Sequence, residues 1–94
     1  MSIRFTQFLM PDGQPKPTWI ERPPEVEVKA TALIAEGYEF ESEVLSTGEC
    51  SFTCGRGEDE MLAIEVCPNG PDVLDAVDRL VEESFEAMKA RAAK

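Results

Sequence analysis

From Tyr38 to Leu45 the chain alternates between two kinds of side chain: Tyr38, Phe40 and Val44 on one parity, Glu39, Glu41 and Glu43 on the other. Successive side chains of a β-strand point to opposite faces, so this segment demands a sheet with one dry face and one wet face. Thr47-Gly48 makes a short turn, after which Cys50, Phe52 and Cys54 share one face of a returning strand. The stretch from Gly55 to Glu60 reads as a loop, and Met61 to Cys67 as a third strand burying Leu62, Ile64 and Val66.

The flanking segments complete the architecture. Ile3 to Met10 is rich in β-formers, Pro11-Asp12-Gly13 signals a turn, and Thr18-Trp19-Ile20 resumes an extended run after Pro17. Prolines place that second strand at a sheet edge, where a missing N–H is tolerated. Arg22-Pro23-Pro24 breaks the chain and opens a helix, with Glu25 and Glu27 in the first turn and Gly37 closing its end. Pro68-Asn69-Gly70-Pro71 stops the third strand of the meander. Asp72 then caps a last helix whose apolar stripe is Leu74, Val77, Val81 and Met88, flanked by Leu80 and Phe85. The expected fold is a single α+β domain over residues 1–94, in the order β-β-α-β-β-β-α. Its simplest packing is an antiparallel sheet of four to five strands with both helices on one face.

Charge narrows the function. Nineteen acids oppose nine bases and no histidine, a formal net charge of −10. Residues 21–86 alone hold 18 of the acids and 4 of the bases, whereas residues 87–94 carry only Lys89, Arg91 and Lys94. Such a chain does not coat nucleic acid or an anionic membrane. No run reaches the ~18 apolar residues of a membrane span, and no leader follows Met1. The lack of histidine removes the commonest general base and the commonest metal ligand. Neither an enzyme nor a cofactor-dependent protein is expected.

Cys50, Cys54 and Cys67 are too few to staple a secreted mini-domain and suit a reducing cytoplasm. Cys50 and Cys54 sit on one strand with α-carbons ~13 Å apart, too far to share a zinc ion, and small buried hydrophobes are the simpler role. Cys67 has a second reading as a reactive thiol, because it precedes a helix N-terminus that could lower its pKa. The acids are too numerous to single out a catalytic pair, and Gly55-Arg56-Gly57 lacks the Lys-Ser/Thr of a phosphate loop.

Acidic surface therefore stands out. Glu39, Glu41 and Glu43 project at ~6.6 Å intervals from one strand face. Asp75, Asp78 and Glu82, with Asp72, Glu83 and Glu86, add charge to the last helix. Regular negative charge on a rigid element can stand in for a phosphate backbone toward a basic groove; ordinary solvation is the plainer role. Trp19, the one tryptophan, either anchors a partner or caps the core beside Pro17 and Pro23. An exposed edge strand around it also invites self-association, a homodimer being the alternative to a foreign partner.

The segments Phe5-Thr6-Gln7-Phe8-Leu9-Met10-Pro11-Asp12-Gly13 and Ala63-Ile64-Glu65-Val66-Cys67-Pro68-Asn69-Gly70-Pro71 resemble parts of small uncharacterised proteins of bacteriophage and prophage genomes. The resemblance carries no functional motif. It implies a context of small acidic proteins that bind and inhibit host factors, anti-CRISPR and other anti-defence inhibitors among them. The expected function is a non-enzymatic acidic protein that occupies the basic, nucleic-acid-binding surface of a host protein through Glu39, Glu41 and Glu43.

Overall fold

The computed structural model describes residues 2–9, 15–57, 59–68 and 70–92. The turn expected at Pro11-Asp12-Gly13, along with Met10, Asn69 and Lys94, lies outside them. The elements are β1 (Ser2–Leu9), β2 (Pro15–Glu21), α1 (Pro24–Ala35), β3 (Glu39–Val44), β4 (Glu49–Arg56), β5 (Glu60–Pro68) and α2 (Val73–Ala92). This is an α+β fold in the expected chain order.

The strands lie side by side as β2-β1-β3-β4-β5. β1 pairs antiparallel with β2, β3 with β4, and β4 with β5, but β1 and β3 run parallel. That junction corrects the wholly antiparallel expectation, and α1 is its cause. β2 leaves the sheet at the end where β1 begins, since Glu21 pairs with Ser2. A helix of 12 residues then carries the chain sideways past β1, and β3 starts from the same end. A strand entered there must run in the direction of β1.

Local chemistry explains the element ends. Pro24 stands at the first helical position, where its absent N–H costs nothing. Past the end of α1, Gly37 adopts φ +94° and donates its N–H to the Ile34 carbonyl. The β4–β5 hairpin is tighter than the loop expected from Gly55 to Glu60, because β4 runs to Arg56 and β5 begins at Glu60. Its register shifts between Cys54 and Gly55. A Cβ on Gly55 would lie 2.9 Å from the Glu60 carbonyl oxygen, so the close approach of the two strands requires glycine.

Both helices cover one face of the sheet. Phe5, Phe40 and Phe52, each fully buried, come from β1, β3 and β4. The Phe5 ring meets Phe52 edge-on at 5.7 Å and Phe40 tilted at 5.8 Å. Leu33 of α1 and Val77, Leu80 and Val81 of α2 close over them. One stripe expectation is corrected. Leu74 is exposed, and Ala76 and Ser84 complete the buried face of α2 in its place.

β5 also faces otherwise than expected. The inward Cys50, Phe52 and Cys54 pair with Cys67, Glu65 and Ala63, so it is those β5 residues that turn toward the helices. Ile64 and Val66 are about half exposed, at 53% and 52%, while Leu62, at the register shift, packs against the core. Ala63 and Cys67 fit between the edge strand and α2, where Glu65 meets Arg79, and the branched Ile64 and Val66 go outward.

Phe52→Ala should cost about 3–5 kcal/mol, the usual loss for emptying a fully buried aromatic site. Glu41→Gln, on the open face, should change stability by less than about 0.5 kcal/mol. Urea unfolding of the two variants checks the contrast.

Candidate acidic face

β3 is the middle strand of the sheet, and its burial alternates without a break: Glu39, Glu41 and Glu43 are exposed, Phe40, Ser42 and Val44 buried. The helices cover the second set, so the three carboxylates stand on the uncovered face. Across the β3–β4 ladder they meet Gly55, Thr53 and Ser51. On the other side Glu41 aligns with Gln7 and Glu43 with Leu9. Glu41 and Glu43 therefore have uncharged register partners on both neighbouring strands.

One strand further, Thr53 pairs with Ile64 and Ser51 with Val66. The face thus repeats a short pattern from the middle of the sheet to its edge: carboxylate, small hydroxyl, branched apolar. Strands lie ~4.8 Å apart, which puts the acidic row about 10 Å from the apolar column. Trp19 is 64% exposed on β2, at the opposite edge, and pairs with Arg4 in register. Its neighbour Ile20 packs against the core, so the indole turns to the same outer face as the glutamates. Of its two expected roles, capping the core is not the one adopted.

The helix acids are elsewhere. Arg22 grips Asp78 with both branches of its guanidinium, Nε to Oδ1 at 2.7 Å and Nη2 to Oδ2 at 2.6 Å. Lys29 Nζ donates to Glu82 Oε2. The first pair ties the segment entering α1 to α2, and the second joins α1 itself to α2, both on the helical side of the molecule. Asp75 is exposed on α2 near Arg22 and Arg79. Asp75, Asp78 and Glu82 are thus set apart from Glu39, Glu41 and Glu43 by the thickness of the sheet, and two of the three already hold a cation.

Arg56, Lys89 and Arg91 gather around the C-terminal end of α2. There a shallow groove is lined by Glu36, Tyr38, Arg56, Met88, Lys89 and Arg91. Arg56 stacks over the Tyr38 ring at 4.7 Å and donates to the Glu36 carbonyl and to Glu60 Oε2, both at 2.7 Å. Arg91 reaches the same Glu60 carboxylate at 3.7 Å, and Lys89 lies over Phe85. Their charge is answered within the protein, and the groove is a packed corner of the fold.

The thiols are buried. Burial pushes the Cys54 thiol up to about 11, the Ser84 hydroxyl acting in the opposite direction. Cys67 is also raised, by burial first and then, against a lowering by Arg79, by Asp72, Glu65 and Glu49. Its place before α2 does not lower it, which corrects that expectation. Among the described residues no three histidine, cysteine, aspartate or glutamate side chains converge to hold a metal ion. No described helix is long and apolar enough to cross a membrane.

Neither a family model, nor a curated protein, nor a solved structure matches this chain.

One acid pair bears on stability. Arg79 Nε donates to Glu65 Oε1 at 2.7 Å, and Glu83 lies against the same Glu65. Burial, then the hydrogen bond and charge of Glu65, hold the Glu83 carboxyl above the ordinary glutamate range. The folded chain consequently binds this proton more readily than the unfolded chain, and stability falls as pH rises through the raised value. Glu83→Gln should flatten that fall above the ordinary glutamate range, with a higher melting temperature at neutral pH. Thermal melts across the range check it. Asp78→Asn, which leaves Arg22 half-buried without its carboxylate, should cost about 1–3 kcal/mol by urea unfolding.

Proposed function

We propose that this chain is a non-enzymatic binding protein whose uncovered sheet face engages a protein partner with a basic surface. The observation that carries the reading is the composition of that face: an acidic row on the central strand, in which Glu41 and Glu43 have uncharged register partners, with exposed Ile64 and Val66 at the sheet edge. Ordinary solvation accounts for exposed glutamates, but not for two branched apolar side chains laid beside them on the same flat surface. A mixed apolar and charged patch suits a protein interface, in which apolar contact supplies affinity and charge supplies orientation and encounter rate.

The partner's chemistry follows from the row. Lysines or arginines at the spacing of alternate strand residues would meet Glu39, Glu41 and Glu43 together, and grooves that track a nucleic-acid backbone offer such spacing. The protein would then act by occupying a nucleic-acid-binding surface in the cytoplasm, as the resemblance to phage-encoded proteins implies. The α2 carboxylates contribute less, because Asp78 and Glu82 are held by Arg22 and Lys29.

A second reading is favoured by Trp19 alone: self-association through the β2 edge, with the exposed indole as its anchor. Pro15 and Pro17 remove two N–H groups from that strand and limit such pairing.

Tagged protein should recover a basic protein from bacterial lysate at low salt and lose it at high salt. The triple variant Glu39→Gln, Glu41→Gln, Glu43→Gln should bind it at least about 10-fold more weakly, ~1.4 kcal/mol. Duplex DNA should compete with the wild type if the occupied surface is a nucleic-acid groove. Equal recovery by both versions would return the row to solvation. Sedimentation at two salt concentrations addresses the second reading, which requires a dimer insensitive to salt.

A further inference from the structure

Cys50 and Cys67 are register partners on β4 and β5, facing each other across an antiparallel ladder. Both are free thiols, both point to the helix-covered side, and they are 1% and 5% exposed. Directly opposed residues in such a ladder have α-carbons about 4.5–5.5 Å apart, inside the ~4.4–6.8 Å range that a disulfide spans. Cys54 lies further along β4, opposite Ala63. The fold therefore selects one pair out of three cysteines, and not the pair closest in sequence.

Position in the ladder gives this pair an opening that its burial denies. Only Glu49 and Pro68 pair beyond it, and the chain then leaves the sheet through the Thr47-Gly48 turn on one side and Gly70 on the other. Ladder ends open locally far more readily than ladder centres. Cys67, the more exposed of the two and close to Arg79, is the side reached first.

We propose that Cys50 and Cys67 form a redox-modifiable dithiol that closes to a cross-strand disulfide when a low-molecular-weight disulfide of the glutathione class is present. The Cys67 thiol gives its proton to solvent, and its thiolate attacks one sulfur of the oxidant. A mixed disulfide forms and one small thiolate leaves, taking up a proton. The deprotonated Cys50 sulfur then attacks the Cys67 sulfur, releasing the second small thiol. Two protein thiols are oxidised to one disulfide, and the oxidant is reduced to two thiols. Closure needs no change of register, since the two cysteines already face each other across the ladder, and it pins the edge strand β5 to β4. The proposal stands independently of what binds the outer face.

The test uses the full chain, folded, with oxidised glutathione as the probe, followed by acid quench, denaturation and alkylation. Wild type should lose two hydrogens and accept one alkyl group, at Cys54, with a Cys50–Cys67 peptide pair in the digest that reductant abolishes. Cys54→Ser should form the same bridge, and Cys50→Ser should stop at a glutathione adduct on Cys67. Oxidation in urea, where loop closure favours the nearest pair, should instead enrich Cys50–Cys54. Three alkylatable thiols after oxidation of the folded chain, stable glutathione adducts on both cysteines, or a native-state bridge to Cys54 would overturn the proposal.

Discussion

Three phenylalanine rings from three adjacent strands hold this sheet to its helices. Phe5, Phe40 and Phe52 sit where β1, β3 and β4 run side by side, and each is fully buried. Phe5 is the link, touching Phe52 edge-on and Phe40 at a tilt. A domain this small has little apolar area to spare, and concentrating it on one face leaves the opposite face without a cover. The open acidic face is thus the other side of the same constraint: Glu39, Glu41 and Glu43 are exposed because their neighbours on β3 are buried.

The helical layer distributes charge differently. A formal charge of −10 works against compactness, and four of the described cations answer it at contacts between elements. Arg22 ties the segment entering α1 to α2, Lys29 bridges α1 to α2, Arg79 ties α2 to β5, and Arg56 ties the β4–β5 hairpin to the end of α1. Cations thus work at the seams between elements, and the uncovered sheet face keeps its carboxylates without such partners from β4. The distinction between acids that hold the fold together and acids left on the open face emerges from that distribution.

Much of this was legible in the residues. The alternation around Phe40 assigned both faces of β3, and Pro24 and Gly37 bracketed α1. Three features were not legible, each for a physical reason. Alternation reports which face a side chain takes but not which way the neighbouring strand runs, so the parallel junction of β1 and β3 was hidden. In β5 both parities carry apolar residues, Leu62, Ile64 and Val66 against Ala63 and Cys67, and only the register with Phe52 decides between them. In α2 the acids follow helical spacing as the Glu39 row follows strand spacing, but their cations, Arg22 and Lys29, lie far away in sequence. The one available signal was that scarcity: in so acidic a stretch, each cation is bound to be claimed by some carboxylate.

The parallel junction also divides the molecule in the order of its assembly. β3, β4, β5 and α2 follow one another directly, so their contacts close short loops and can form early. β1 reaches β3 only after β2 and α1 have been laid between them, and its ladder to β3 is the one strand pairing that joins the first hairpin to the rest. On a ribosome the N-terminal hairpin emerges first but has no core to rest on until the Phe40 and Phe52 strands appear. The contacts that bury Phe5 thus belong to strands made after it, and its place in the core depends on residues 35 and 47 positions further along the chain.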